Sequence, residues 1–134
     1  MYKAKITREH RTAFIILCDR SGSMAEETRF GGQVMRKAEA GACIINMLLG
    51  ELIHRSRRDD GIRDYFDIAV LGYSGSGVQP LLPAGDRERF IGIGDLVRLP
   101  APVQQRRMLR TLPGGRQTAV EIGQRQWITP EANG

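Results

Sequence analysis

An α/β fold built on an open, mainly parallel sheet is the class this sequence predicts, and three stretches predict it. Ala13-Phe14-Ile15-Ile16-Leu17-Cys18 is apolar throughout and rich in β-branched side chains, which reads as a strand buried on both faces. From Val34 to about Arg55 apolar side chains recur at helical spacing. Tyr65-Phe66-Asp67-Ile68-Ala69-Val70-Leu71-Gly72-Tyr73 is a second strand-like run. Strand, long helix, strand is a crossover unit, which joins parallel strands and is right-handed.

Taken in order, residues 1–12 are polar and basic, with Tyr2, Ala4 and Ile6 alternating as in a short edge strand or an arm. Residues 19–33, with Glu26, Glu27, Gly31 and Gly32, read as a loop at the rim of a site. In the helix, Ala38, Ala42, Ile45, Leu49 and Leu52 form one stripe, and Ile44, Met47 and Leu48 widen it, so the helix is expected to be largely buried. Gly41 and Gly50 lower its intrinsic propensity and suit a close neighbour. Asn46 interrupts the apolar stretch, and capping of an adjacent loop accounts for it. Arg57-Arg58-Asp59-Asp60-Gly61 reads as a turn, Val78 to Leu82 as a short strand closed by Pro83, and Ile93 to Leu99 as one or two helical turns. Residues 113–128 carry two signals. Thr118 and Glu121 have the spacing of a capping box, whereas Val120 and Ile122 alternate with polar residues toward Trp127-Ile128; the strand reading is preferred.

The whole chain bounds the function. Its 134 residues suffice for one core, and 41% apolar with 26% charged residues is ordinary for a globular protein. Neither a secretory apolar segment nor a run near the ~20 residues of a membrane span is present, which predicts a cytoplasmic protein with no membrane partner. Cys18 and Cys43 both read as small core residues without the partners of a nucleophile. The net charge is +5 and arginine dominates the basic residues, but no aromatics alternate with Arg55-Arg57-Arg58 or Arg106-Arg107-Arg110. A solvated basic face is therefore preferred to a nucleic-acid surface.

The chemistry concentrates in Asp19-Arg20-Ser21-Gly22-Ser23, directly after the first strand. A carboxylate at a strand end, followed by hydroxyls at alternate positions, offers the oxygen ligands a hard divalent cation prefers. A turn with Asp and Ser as caps, and Gly22 at an unusual φ, would use the same letters. In open parallel sheets, sites form beyond the carboxyl ends of the strands, which is where Asp19 falls.

This Asp-x-Ser-x-Ser segment with Met24 next resembles the metal-ion-dependent adhesion site (MIDAS) of von Willebrand factor type A (vWA) domains. The resemblance extends more softly through the helix and second strand, and is greatest to small intracellular bacterial members, including those associated with tellurium resistance. It implies a Rossmann-like sheet with helices on both faces. It also implies Mg²⁺ (or Mn²⁺ or Ca²⁺) held by Asp19, Ser21 and Ser23, and a protein partner that offers an acidic residue to the metal. In the family a later loop gives a Thr and another an Asp. Thr129-Pro130-Glu131-Ala132-Asn133-Gly134 resembles the approach to that Thr, Thr118 after Gly114-Gly115 is the fallback ligand, and the last Asp has no equivalent. The resemblance thus implies the amino-terminal part of such a domain, with its C-terminal strands and helices missing. A binding module is the function expected, not an enzyme. A hydrolase is the rival, using Asp19 or Ser74, but Ser21 stands where a phosphatase needs a second Asp, and Ser76 where a nucleophile elbow needs Gly.

Overall fold

The computed structural model describes residues 12–82 and 90–130. Strand β1 (Thr12–Asp19) runs into a 3₁₀ turn (Gly22–Ala25), then β2 (Glu27–Phe30) and β3 (Gln33–Arg36), and helix α1 (Lys37–Ser56) follows directly. The short strands β4 (Arg57–Arg58) and β5 (Gly61–Ile62) lead to β6 (Phe66–Ser74) and β7 (Gly77–Pro80). Strand β8 (Ile91–Gly92), helix α2 (Ile93–Arg98), β9 (Val103–Thr111) and β10 (Gln117–Arg125) complete the described chain.

The crossover unit forms as the periodicity predicts. Strands β1 and β6 pair in parallel, from Thr12 opposite Phe66 to Asp19 opposite Tyr73, with α1 between them in sequence. Apolar alternation sets the packing. Phe14 and Ile16 on β1 stand beside Ile68 and Val70 on β6 and face a core made with Ala42, Ile45, Leu49 and Leu52 of α1. Ile93 and Leu96 of α2 join the same cluster. The stretches expected as a short strand after β6, as helical turns after Ile93 and as a strand before Trp127 are β7, α2 and β10.

The expected fold class does not hold. Among the described residues strand outweighs helix, 48% against 27%, and only two α-helices are present. Among the described residues only β1 and β6 pair in parallel; β7 and β8 run antiparallel to β6, and the other pairs are antiparallel hairpins. The reason is local turn chemistry. Gly31 and Gly32 (φ 60° and 80°) close β2 onto β3 within the segment read as a loop. Gly114 and Gly115 (φ 93° and 84°) close β9 onto β10. Consecutive residues at positive φ match the twist of a tight hairpin and are open to glycine at little steric cost. The second half of the chain therefore forms a long ribbon where a Rossmann-like sheet would place further parallel strands and helices.

Among the described residues helices on both faces are also not found: α1 and α2 share one core cluster. On β1 the opposite face is open, with Ile15 59% and Leu17 65% exposed, so the strand is not buried on both sides as its unbroken apolar run suggests. In α1, Ile44, Met47 and Leu48 stand exposed rather than widening the buried stripe. Cys43 is buried and Cys18 partly so, and both thiols are free. The expectation for residues 1–12 lies almost wholly outside the described residues, as does that for residues 131–134.

Candidate metal centre

Parallel pairing carries β1 to its end beside Tyr73, and the Arg20 amide adds one more bond, donating to the Tyr73 carbonyl at 2.8 Å. The chain then turns away from the sheet. The Ser21 amide donates to Asp19 Oδ1 at 2.9 Å, an Asx-type turn that fixes the carboxylate at the strand end. Amides of Met24 and Glu26 donate to the carbonyls of Ser21 and Ser23 and wind the 3₁₀ turn. Ser21 precedes that turn but makes no side-chain capping bond. Its hydroxyl instead meets Ser23 Oγ at 3.0 Å. The turn reading thus accounts for Asp19 in part, and leaves the two hydroxyls directed at each other on an accessible surface.

Hydrogen bonds from the Ser21 amide, then from its hydroxyl, hold the Asp19 carboxyl below its ordinary pKa of 3.8, against a weaker opposing effect of burial. Asp19 is therefore an anion throughout the neutral range. Two oxygens bound cis to one Mg²⁺ at ~2.1 Å lie about 3 Å apart. The Ser21 and Ser23 hydroxyls have that separation while hydrogen-bonded to each other, so these two oxygens are spaced as two ligands of a small hard cation would be. Among the described residues no group of three or more His, Cys, Asp or Glu could hold a metal ion. A cation here would rest on one carboxylate with neutral hydroxyl and water oxygens.

Thr129, not Thr118, shares a cleft with Asp19. This cleft of about 230 Å³ is lined by Asp19, Arg20, Met24, Lys37 and Thr129, with apolar residues of β1 and α1, while Ser21 and Ser23 lie outside its lining. Thr118 is paired with Arg110 in the β9–β10 ribbon and does not line the cleft. Two residues fasten the segment that carries Thr129 into this cleft. Arg20, itself buried, donates from Nη2 to the Thr129 carbonyl at 2.8 Å. Asn46, 1% exposed in the middle of α1, accepts from the amides of Trp127 and Ile128 on Oδ1 and donates Nδ2 to the Ile128 carbonyl, each at 3.0 Å.

The segment is fastened from the other side too. Trp127 Nε1 donates to the Leu96 carbonyl at 3.2 Å, and the Arg125 guanidinium lies 4.6 Å from the Trp127 ring centroid while donating to the carbonyls of Val97 and Leu99. Gly72 makes room for Arg20: a Cβ there would stand 3.1 Å from Arg20 Cδ and 3.0 Å from a Leu81 methyl. Gly72→Val is expected to displace the Arg20 side chain and loosen Thr129, seen as a changed Thr129 amide shift in NMR spectra. The sequence gives Arg20 no role of its own, places Thr129 only in a segment resembling the approach to the family's Thr, and gives Asn46 only the task of capping a loop. A buried amide inside an apolar helical stripe was the one available signal, because such a group must be satisfied by backbone from elsewhere.

Ser74 Oγ accepts from the Ser76 amide at 3.2 Å, closing the loop after β6. His54 is exposed in the last turn of α1. No helix among the described residues is long and apolar enough to cross a membrane. Comparisons with protein-family models, with curated proteins and with solved structures found no match.

Proposed function

We propose that the chain is a divalent-metal-dependent protein-binding module, with Mg²⁺ held by Asp19, Ser21 and Ser23 and presented to a carboxylate of a partner protein. The observation that carries this reading is the fixed Asp19 carboxylate beside two hydroxyls 3.0 Å apart at the carboxyl end of a parallel strand. When bound, the cation supplies Lewis acidity and vacant coordination positions; the chain supplies the geometry. Asp19 gives the one formal negative charge, and the hydroxyls add ligands without neutralising the metal further, which keeps it attractive to an incoming Asp or Glu. The resemblance of Asp19-Arg20-Ser21-Gly22-Ser23 to the vWA adhesion site supports the same assignment, with no catalytic residue required. Thr129, carried into the cleft by Arg20 and Asn46, replaces Thr118 as the candidate for a further hydroxyl.

Calorimetric titration tests the ligand set. Saturable binding of Mg²⁺ and Mn²⁺ is expected for the wild-type chain, and the Ser21→Ala, Ser23→Ala double variant should bind about 10- to 100-fold more weakly. Equal affinity in that variant, with the fold intact, would remove the hydroxyls from the site.

The lowered pKa of Asp19 sets the acid limit. Because the folded value lies below the unfolded one, the carboxylate's favourable hydrogen bonds contribute fully above the unfolded pKa and are lost as pH falls through the lowered folded value. Carboxyl ¹³C NMR titration should therefore give an Asp19 midpoint below 3.8. Ser21→Ala, which keeps the amide but not the hydroxyl, should move the midpoint part of the way back.

A further inference from the structure

The β9–β10 ribbon holds most of the chain's excess charge. Residues 103–125 contain five arginines and one glutamate, a net of +4, in a chain whose net charge is +5. Arg106-Arg107-Arg110 reads in the sequence as a solvated face; the hairpin sorts it into two sides. Arg106 stands opposite Ile122 and Arg110 opposite Thr118. The Arg116 carbonyl accepts from the Leu112 amide at 2.6 Å, which continues the same register to the turn. Side chains alternate between faces along a strand, and residues opposite one another share a face. Arg106, Arg110 and Arg116 therefore lie on one face, and Glu121, opposite Arg107, lies on the other.

These arginines differ from other cations of the chain. Arg36, Lys37, Arg55, Arg63 and Arg98 each hold a carboxylate at 2.8–3.1 Å. Among the described residues none of Arg106, Arg107, Arg110 and Arg116 makes an ion pair, and Arg106 Nε is buried without an acceptor. Arg110 and Arg116 are exposed. Arg125, at the base of the ribbon, is already engaged by the carbonyls of Val97 and Leu99. Residues 1–11, 83–89 and 131–134 carry six basic and four acidic side chains, so together they bring no net negative charge to offset the ribbon.

We infer that the arginine face of the β9–β10 ribbon binds duplex DNA through its phosphates. The class of partner follows from three properties of the ribbon. All its cations are arginines, whose planar guanidinium groups take phosphate oxygens in pairs. Residues 103–125 contain no Phe, Tyr or Trp, so the ribbon lacks the stacking platforms by which single strands are held. A two-stranded ribbon fits the major groove of B-DNA, about 12 Å wide, whereas the major groove of A-form RNA is too narrow. Nine paired residues extend about 30 Å, and duplex DNA presents one charge per ~1.7 Å of its axis, so the face spans several phosphates. Contacts to phosphates position a protein without selecting sequence.

The test is fluorescence anisotropy of a labelled duplex of about 20 base pairs, titrated with the full chain at several KCl concentrations. EDTA is present throughout, so the outcome is independent of the metal centre. The wild type is expected to bind with a Kd of about 1–10 μM near 50 mM salt, and log K should fall with log salt at a slope of about −3, one phosphate per arginine of the face. The double variant Arg110→Gln, Arg116→Gln should bind at least about 10-fold more weakly at that salt, with a slope near about −1. Both positions are exposed, so its circular dichroism spectrum should match the wild type. Arg55→Gln, Arg57→Gln removes the same charge from exposed positions at the end of α1 and should stay within about threefold of the wild type. Absence of binding at low salt would overturn the inference, as would an equal loss in the Arg55, Arg57 variant. So would tighter binding of single-stranded DNA or duplex RNA of the same length, or displacement of the duplex by polyglutamate at equal charge, which would assign the face to acidic proteins.

Discussion

Asn46→Ala is expected to lower the stability of the fold by roughly 3 kcal/mol, and the melting temperature by about 10 °C. The magnitude follows from what the side chain satisfies. Its amide oxygen accepts two backbone N–H groups and its nitrogen serves a backbone carbonyl, all in a position 1% exposed to solvent. Alanine leaves these partners buried without their bonds and opens a small void beside Ile128, which is itself buried. Asn46→Leu separates the two effects, since it fills the volume but makes no hydrogen bond. If the bonds dominate, leucine is as destabilising as alanine; if packing dominates, leucine recovers most of the loss. Thermal unfolding followed by circular dichroism reads both. The effect should extend to the site, because Asn46 and Arg20 together fasten the segment that ends at Thr129.

Asp19→Asn should reduce Mg²⁺ affinity by at least about 100-fold, a loss larger than that from disturbing an outer-shell group. The substitution keeps the shape and the oxygen that accepts from the Ser21 amide. It removes the one negative charge in the proposed ligand set. Sites richer in carboxylates can lose one and still attract a cation; here the remaining oxygens are neutral hydroxyls. Stability should fall little at neutral pH, because Asp19 lies at the rim and the amide bond to its side chain can persist in asparagine. Calorimetry on the two proteins reads the loss, with unfolding curves as the control.

The sequence carried the crossover unit well. Unbroken apolar runs at residues 13–18 and 65–73 and a helical stripe between them are strong signals, and β1, α1 and β6 lie within a few residues of where periodicity placed them. It carried the hairpins poorly. Gly31-Gly32 reads only as part of a loop at a site rim and Gly114-Gly115 only as the approach to Thr118, because their flanks are short or mixed in polarity and neither alternation nor helical spacing stands out. Burial was overestimated for a related reason. Apolar character at Ile15, Leu17, Ile44 and Leu48 says that a side chain gains by leaving water, whereas what covers it depends on the rest of the sheet, which here is small. Asp19, Ser21 and Ser23 were legible because they are neighbours in sequence. Thr129 was not, since its approach depends on bonds from Arg20 and Asn46 across long separations in the chain.

The most direct measurement is a two-dimensional ¹H–¹⁵N NMR titration of the chain with Mg²⁺. The account predicts saturable shifts at the amides of Ser21, Gly22 and Ser23, a smaller response at Thr129, and none at Thr118. Spectra that do not change at millimolar Mg²⁺, or changes confined to exposed acidic positions such as Asp59 and Asp60, would contradict a metal centre at the end of β1.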